Sequence, residues 1–561
     1  MTLSPTARSA DVAARVAADQ LGALVAERAP DPLTPEIDWA GPVGHPLPDE
    51  NAAQAACGIM HVHGRAAGAP QRLGVDYAST LAGVLGAQGV LAASIARVRG
   101  ARITEVRTSV AQAALLAVQQ YLAVATSDDD WAEQWQPGRR PPFTSRDGVR
   151  FELETLHAEG WGRFWHGLGA DRDAIAAGWW PFQQRFSTAT GALPQSLHDV
   201  LRTVDYATVA AVAAHSGVSA LPVRESPAPP ADVPACTFRQ LSTSSAPPPV
   251  RTGDEPLNGM LVVESTRRIQ GPVVGHVLQR LGADVVRIEP PGGDPMRGTP
   301  PMAGDCSARF RALNDGKRVV ELDLKTSAGR QAARELASEA DAFVHNWAPG
   351  KAEEFGLDAE TLSGDRPGLA YAWSSGWAPL TGPDQPLGTD YLVQARSGLA
   401  AANYPADVPP APSLMTLTDV LGGMVCAQGV LAALLGQVRT GRGYRVDSSL
   451  FSAAGTVPRP RQRQVWTELD RPLPTADGHV VLPRGLDTAT LLAAAGTAEP
   501  PAVAARVREH PTAFWQQRLA DLGSTATPVC TDLRELADDP HFTRALTHQP
   551  FAAPKQPWEF S

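Results

Sequence analysis

Three features of this 561-residue sequence predict an α/β fold built on a parallel sheet covered on both faces. Strand-like and helix-like segments alternate from residue 257 onward, the arrangement of βαβ units. The length exceeds that at which a single hydrophobic core stops growing, so two or more domains are expected. The heptapeptide AQGVLAA occurs twice, within VDYASTLAGVLGAQGVLAA (75–93) and MTLTDVLGGMVCAQGVLAA (415–433).

The βαβ elements read as follows. LNGMLVVEST is a strand, GPVVGHVLQRLG a helix, and ADVVRIEPPGGDP a second strand closed by a turn-rich loop. VVELDL continues as a strand, TSAGRQAARELASEA as a helix capped by Thr326, and DAFVHNW and LAYAWSS as further strands. Residues 391–436 become helical and Ala-rich before the TGRGYRVDSSL turn and strand. Upstream, residues 226–256 concentrate Pro, Ser and Ala without periodicity, the composition of an extended linker.

The repeat has a constant offset. Ser79 stands where Asp419 does, 419 − 79 = 340, and the same spacing runs without a gap from Gln54/Gln394 through Gly58/Gly398 to Ala114/Ala454. A period of this size belongs to a domain, not a solenoid unit. Weaker echoes pair FTSRDGVRF (143–151) with LPTADGHVV (473–481), and SALPVRE (219–225) with TATPVCT (525–531). The expected organisation is therefore an N-terminal extension at 1–50, a half-copy at 51–225 without the βαβ region, a linker at 226–256, and a complete domain at 257–561.

Composition limits the partners. Apolar content of 43%, charged content of 19% and a net charge of −10 describe an acidic globular chain that repels nucleic acid and anionic membranes. The longest apolar run, near 420–435, is too short for a membrane span. The start of the sequence lacks a signal-peptide core, and the five cysteines show neither zinc-site nor disulfide spacing. A cytoplasmic protein without a bound metal is the expectation.

The runs VESTRRIQGPVVGHVLQRLGADVVRIEPPGGDPMRG, LNDGKRVVELDLKTSAGR, DAFVHNWAPG, TDVLGGMVCAQGVLAAL and TGRGYRVDSSL, in this order, resemble the class III CoA-transferases, the CaiB/BaiF family. The resemblance covers most of 257–457. It implies a Rossmann-like large domain, a smaller α+β domain and two units interlaced like linked rings. It implies acyl-CoA chemistry with no permanently bound cofactor, coenzyme A entering as substrate with a carboxylic acid. A homodimer or an intrachain pseudo-dimer would provide the interlacing.

The same resemblance makes Asp419 the nucleophile. A carboxylate can attack a thioester carbonyl to give an acyl-aspartyl anhydride and CoA thiolate, provided that it is ionised. Asp419 precedes an apolar stretch, which places it at a helix N-terminus that favours negative charge, and Gly422 and Gly423 would let a thioester come close to the backbone. Taken without the resemblance, an Asp here is a helix cap, and the two roles are compatible.

For CoA, the turn holding Arg267, Arg268, Ile269 and Gln270 presents a helix N-terminus suited to phosphate. The resemblance adds Lys317, Arg318, Asn346 and Trp347 around the nucleotide, and Ser375 and Trp377 near the pantetheine or active site. Two departures from the family pattern stand out: Glu353 and Glu354 replace a basic residue, and no Gly-rich loop follows residue 457.

Three rivals remain. A nicotinamide dehydrogenase is disfavoured because QGPVVG is not GxGxxG. Racemisation by a His and Asp pair is disfavoured by Thr389 where the His would lie. A non-catalytic acyl-CoA-binding role gains weight from Ser79, which leaves the half-copy without a nucleophile. Smaller signals are an aromatic cluster, Trp179, Trp180, Phe182 and Phe186, read as packing. His61 and His63 are read as part of a strand.

Overall fold

The computed structural model describes residues 5–25, 27–127, 138–230, 232–242, 255–378 and 385–561. In chain order, helix α1 (Pro5–Gly22) leads to strand β1 (Glu36–Asp38), helix α2 (Glu50–Ala56), the long helix α3 (Tyr77–Val98) and strand β2 (Val106–Ser109). Strands β3 (Phe143–Thr144), β4 (Arg150–Glu154) and β5 (Ser219–Pro222) form a small antiparallel sheet, with helix α4 (Arg172–Thr188) inserted between β4 and β5.

Strand β6 (Cys236–Gln240) follows, within the segment expected to be a linker. The large domain contains β7 (Leu261–Ser265), α5 (Gln270–Arg280), β8 (Asp284–Glu289), α6 (Ala308–Asn314), β9 (Arg318–Glu321), β10 (Ala342–His345) and β11 (Ala370–Ser375). Helices α7 (Asp390–Ser397) and α8 (Leu417–Thr440) and strand β12 (Tyr444–Ser449) complete it. A second small sheet comprises β13 (Leu473–Pro474), β14 (His479–Val481) and β15 (Thr527–Pro528), and β16 (Glu559–Phe560) lies at the end.

The seven-stranded sheet has the order β9-β8-β7-β10-β11-β12-β6, parallel except for β6. The chain leaves β7 toward β8 on one side and later returns to β10 on the other. The carboxyl ends of β7 and β10 therefore mark a topological switch point, where open α/β sheets form a ligand crevice. Thr326 caps its helix by accepting the Gly329 N–H at 3.0 Å, as the sequence predicts.

The repeated helix is packing. Helices α3 and α8 lie against each other in the core, where the Tyr77 hydroxyl donates to the Leu417 carbonyl (2.7 Å) and Gln88 Nε2 to the Met424 carbonyl (2.7 Å). By length and hydropathy either helix could cross a membrane, yet 89% and 94% of their apolar windows are buried inside the protein. The AQG glycines are required by close approach: a Cβ on Gly89 would sit 2.5 Å from Val106, and one on Gly429 2.7 Å from Val446. Val106 and Val446 are themselves 340 residues apart, 446 − 106.

The sheet edges are exchanged between the two parts of the chain. Strand β6 follows the first small sheet and closes the large sheet antiparallel to β12. Strand β16 follows the second small sheet and pairs antiparallel with β2, which lies parallel to β1. Each tail thus covers the open edge of the other part, satisfying backbone groups that an edge would leave exposed. Of the smaller expectations, His61 and His63 lie on helix Ile59–Gly64 rather than on a strand. Apolar residues run on through this segment at helical spacing, and His63 is buried, its Nδ1 2.8 Å from the Ser413 hydroxyl. Among the aromatic cluster, Phe182 is buried, Phe186 stacks on Tyr391 with centroids 4.4 Å apart, and Trp180 remains 60% exposed.

Candidate functional site

Asp419 lies in the first turn of α8, but it does not cap the helix. Asp390, the first residue of α7, does so from the side. Its Oδ1 accepts the Thr418 N–H (2.6 Å), the Asp419 N–H (2.9 Å) and the Thr418 hydroxyl (2.6 Å). Gln394, one helical turn on, donates to the other carboxylate oxygen. Because Asp390 takes the free N–H groups, the Asp419 side chain is released from local bonding. Among the described residues, nothing donates a hydrogen bond to its carboxylate.

The electrostatics correct the expectation that a helix N-terminus keeps Asp419 ionised. Burial pushes its carboxyl well above the usual carboxylate range, and the neighbouring Asp390 charge pushes the same way. Arg268 and Arg309 oppose this, and Glu154 reinforces it. Asp390 is itself raised to about 6, first by burial, against the hydrogen bonds from Thr418 and Gln394 that lower it. The buried Asp390 and the half-buried Asp419 thus titrate as an interacting pair, with Arg268 and Arg309 as the cations that lower Asp419.

Both cations are placed by specific geometry. Arg268 occupies the left-handed region at φ 67°, a conformation costly for a residue with a Cβ, in the turn between β7 and α5. Arg309, on α6, is buried and donates to Gln120 Oε1 (3.1 Å), the Phe186 carbonyl (2.6 Å) and the Ser187 hydroxyl. Its three acceptors all come from the N-terminal part of the chain. Glu154 on β4 is fully buried and held by Arg185 at 3.0 Å. The surroundings of Asp419 are thus built from both parts.

The predicted CoA residues divide into two groups. At the switch point, the Arg267 N–H donates to Asn346 Oδ1 (3.0 Å) and Asn346 Nδ2 returns to the Arg267 carbonyl (2.8 Å), locking together the loops after β7 and β10. Arg267 and Arg268 are exposed there, and Trp347 is half-buried against Phe355. Gln270 is buried and donates from Nε2 to the Ser375 carbonyl (3.0 Å), beside the first turns of α8. Ser375 and Trp377 are buried and engaged with backbone: Ser375 Oγ with the Ser448 carbonyl, and Trp377 Nε1 with the Pro386 and Leu387 carbonyls. Ile269 is a core residue at the start of α5.

Lys317 and Arg318 do not reach this crevice. The Lys317 ammonium is fully buried and donates to Glu264, the Pro272 carbonyl and Asn314, with distances from 2.8 to 3.2 Å. Burial draws its pKa down to about 8. Arg318 opens β9 and forms a bidentate pair with Asp284, the first residue of β8. It therefore lies at the amino end of the strands, opposite the switch point. Gly422 and Gly423 also have a different role: a Cβ on Gly423 would fall 2.5 Å from the Gln270 carbonyl and one on Gly422 2.9 Å from Leu450, so they admit neighbouring core elements rather than a substrate.

Asp390, Arg309 and Glu154 escaped the sequence reading. A signal for Asp390 existed, since 390 − 50 = 340 pairs it with Glu50 four residues before the matched glutamines.

A family model described as CoA-transferase family III matches residues 41–242 and 257–467. The chain belongs to this family. The acetyl-CoA:oxalate CoA-transferase of Acetobacter aceti is 37% identical over 199 residues, which is 35% of this chain and 51% of that protein. The succinyl-CoA:glutarate CoA-transferase of Mus musculus is 34% identical over 202 residues, 36% of this chain and 46% of that protein. The chain spans about half the length of these curated relatives. A CAIB/BAIF family protein from Brucella suis superposes with a TM-score of 0.51 at 26% identity, covering 55% of this chain and 93% of that one.

Within this CoA-transferase family III chain, the place equivalent to the Asp419 site carries different chemistry. Glu50 accepts the Ala78 N–H (2.8 Å), the Ser79 N–H (2.8 Å) and the Ser79 hydroxyl (2.6 Å), with Gln54 at 2.9 Å. Arg484, from the turn after β14, lies beside it, with Nη1 on Asp76 and Nε on Asn51 (3.2 Å). A cavity of about 1010 Å³ opens between α4, the loop at Pro300–Pro301, His479 of the second small sheet and Thr531. Ser187, which holds Arg309, lines it.

Proposed function

We propose that the protein is a CoA-transferase acting through Asp419. The observation that carries this reading is the Asp419 carboxylate in the first turn of α8, to which no described residue donates a hydrogen bond and on which Arg268, from the turn after β7, and Arg309 act. In its ionised form, Asp419 attacks the thioester carbonyl of the donor acyl-CoA, giving a mixed anhydride and CoA thiolate. The thiolate attacks the aspartyl carbonyl, releasing the donor acid and leaving CoA on Asp419 as a thioester. The acceptor carboxylate displaces the thiolate from that thioester, and the thiolate takes the acceptor acyl group, regenerating Asp419. The two guanidinium groups stabilise the carboxylate and the oxyanions that form beside it.

The CoA nucleotide is assigned to the crevice at Arg267, Arg268, Asn346 and Trp347, with Gln270 next to the reacting carbonyl. The likeness to transferases that act on oxalate and glutarate supports small carboxylic acids as acceptors. The 1010 Å³ cavity, connected to Arg309 through Ser187, is the space available to them. Residues 51–225 take the place of a second subunit and carry no nucleophile of their own, so one chain holds one active site. This favours an intrachain pseudo-dimer over an obligate homodimer.

Intact-protein mass spectrometry with a panel of acyl-CoA thioesters tests the mechanism. An adduct located on Asp419, converted to a hydroxamate by hydroxylamine and absent in Asp419→Ala, is expected. Exchange of CoA into a free acid that persists in Asp419→Ala would sink the proposal.

A further inference from the structure

Away from the Asp419 site, a cavity of about 360 Å³ lies between the first small sheet, at Thr144 and Arg150, and the loop at residues 404–411. Four arginines line it, Arg139, Arg140, Arg150 and Arg202, together with His198. Among the described residues no carboxylate lines it. The acids around it are already engaged: Asp199 accepts from Arg202 at 3.2 Å, Asp407 of the 404–411 loop pairs with Arg471 at 2.8 Å, and Glu225 lies 3.8 Å from Arg463.

Two of the four guanidinium groups are incompletely satisfied. Arg140 Nη1 and Arg150 Nε are buried without any hydrogen-bond partner. Their other bonds are weak anchors: Arg140 Nη2 to the Tyr404 hydroxyl at 3.4 Å, and Arg150 Nη2 to the Pro410 carbonyl at 3.1 Å. A buried donor left unpaired costs free energy, and like charges confined to one small pocket repel. A multivalent anion relieves both terms, and planar guanidinium forks match phosphoryl oxygens.

We propose that this pocket binds a compact phosphate-bearing anion, independently of the CoA crevice. Binding joins the first small sheet to the segment that leads into α8. The inference does not depend on the role of Asp419.

Isothermal titration of the full chain with inorganic pyrophosphate tests it. One site per chain is expected, unchanged in Asp419→Ala and unaffected by saturating CoA. Arg139 and Arg202 are exposed, so the double variant Arg139→Gln, Arg202→Gln should keep the wild-type melting temperature while weakening binding by about tenfold or more. Arg140→Gln with Arg150→Gln should abolish it. Absence of binding in the wild type, or equal affinity in the folded double variant, would overturn the proposal. So would competition by CoA, which would assign the anion to the CoA crevice, or displacement of pyrophosphate by succinate at equal concentration, which would make the pocket a carboxylate site.

Discussion

Glu50 and Asp390 hold the same post 340 residues apart (390 − 50), each carboxylate accepting two backbone N–H groups at the start of a long buried helix. What differs is the side chain above. Ser79 donates its hydroxyl to Glu50, whereas Asp419 meets Asp390 as a second acid. One pair is a satisfied hydrogen bond, and the other is two neighbouring acids whose mutual repulsion Arg268 and Arg309 oppose.

Restoring an acid at the silent position should therefore harm the protein rather than create a second site. Ser79→Asp removes the donor to Glu50, whose carboxyl burial and the Asp76 charge already raise to about 7, and adds a buried like charge. A loss of about 1–3 kcal/mol is expected from chemical denaturation. No acyl adduct should form at residue 79 in mass spectrometry.

The pH dependence of acylation follows from the coupled pair. Both carboxyls are raised, so at the pH where an ordinary Asp is ionised the pair still retains a proton. Single-turnover acylation should rise with pH through a limb above the ordinary Asp range. Asp390→Asn removes the neighbouring charge that raises Asp419 and should move this limb to lower pH. A limb that stayed in place would show that Asp390 does not act on the nucleophile.

Arg309→Gln should act in the opposite direction. Loss of a cation that lowers the Asp419 pKa moves the acylation limb to higher pH and slows acylation at neutral pH. Rapid-quench measurement of the acyl-enzyme across pH checks both shifts, and Arg309→Lys should restore part of the rate if charge is what matters.

Lys317 gives a test of structure against binding. Lys317→Met leaves the Glu264 carboxylate with Arg287 at 2.9 Å as its remaining cation and should cost about 3 kcal/mol or more of stability. The KM for acyl-CoA in the folded variant should stay unchanged, whereas a direct phosphate contact would raise it.

The large sheet was legible because its signals are local. Alternating apolar strands, the Thr326 cap and the RRIQGP turn all act within a few residues. Asp390 was not, because it caps a helix from a residue nearly thirty positions upstream. Lys317 and Arg318, adjacent in sequence, face opposite environments, one sealed under α5 and the other in solvent. A dipeptide carries no information on that difference. Strand β6 was hidden in Pro- and Ser-rich flanks, since its partner β12 lies some 200 residues away and supplies the pattern that its own sequence lacks.

The exchanged edges lead to a prediction about the chain as a whole. A fragment beginning at residue 250 would lack β6, exposing the edge of β12, and would leave β16 without β2. It would also lose Gln120, Phe186 and Ser187, the acceptors that fix Arg309, and Glu154 with Arg185 beside the nucleophile. Exposed edges and a broken face of the α3–α8 core favour aggregation over a stable monomer. The fragment 250–561 should therefore be insoluble or self-associated, and inactive. Adding residues 1–249 as a separate chain should restore a stoichiometric complex and acylation of Asp419, read by size exclusion and mass spectrometry. A soluble, monomeric and fully active fragment would show that the N-terminal part contributes nothing to the site.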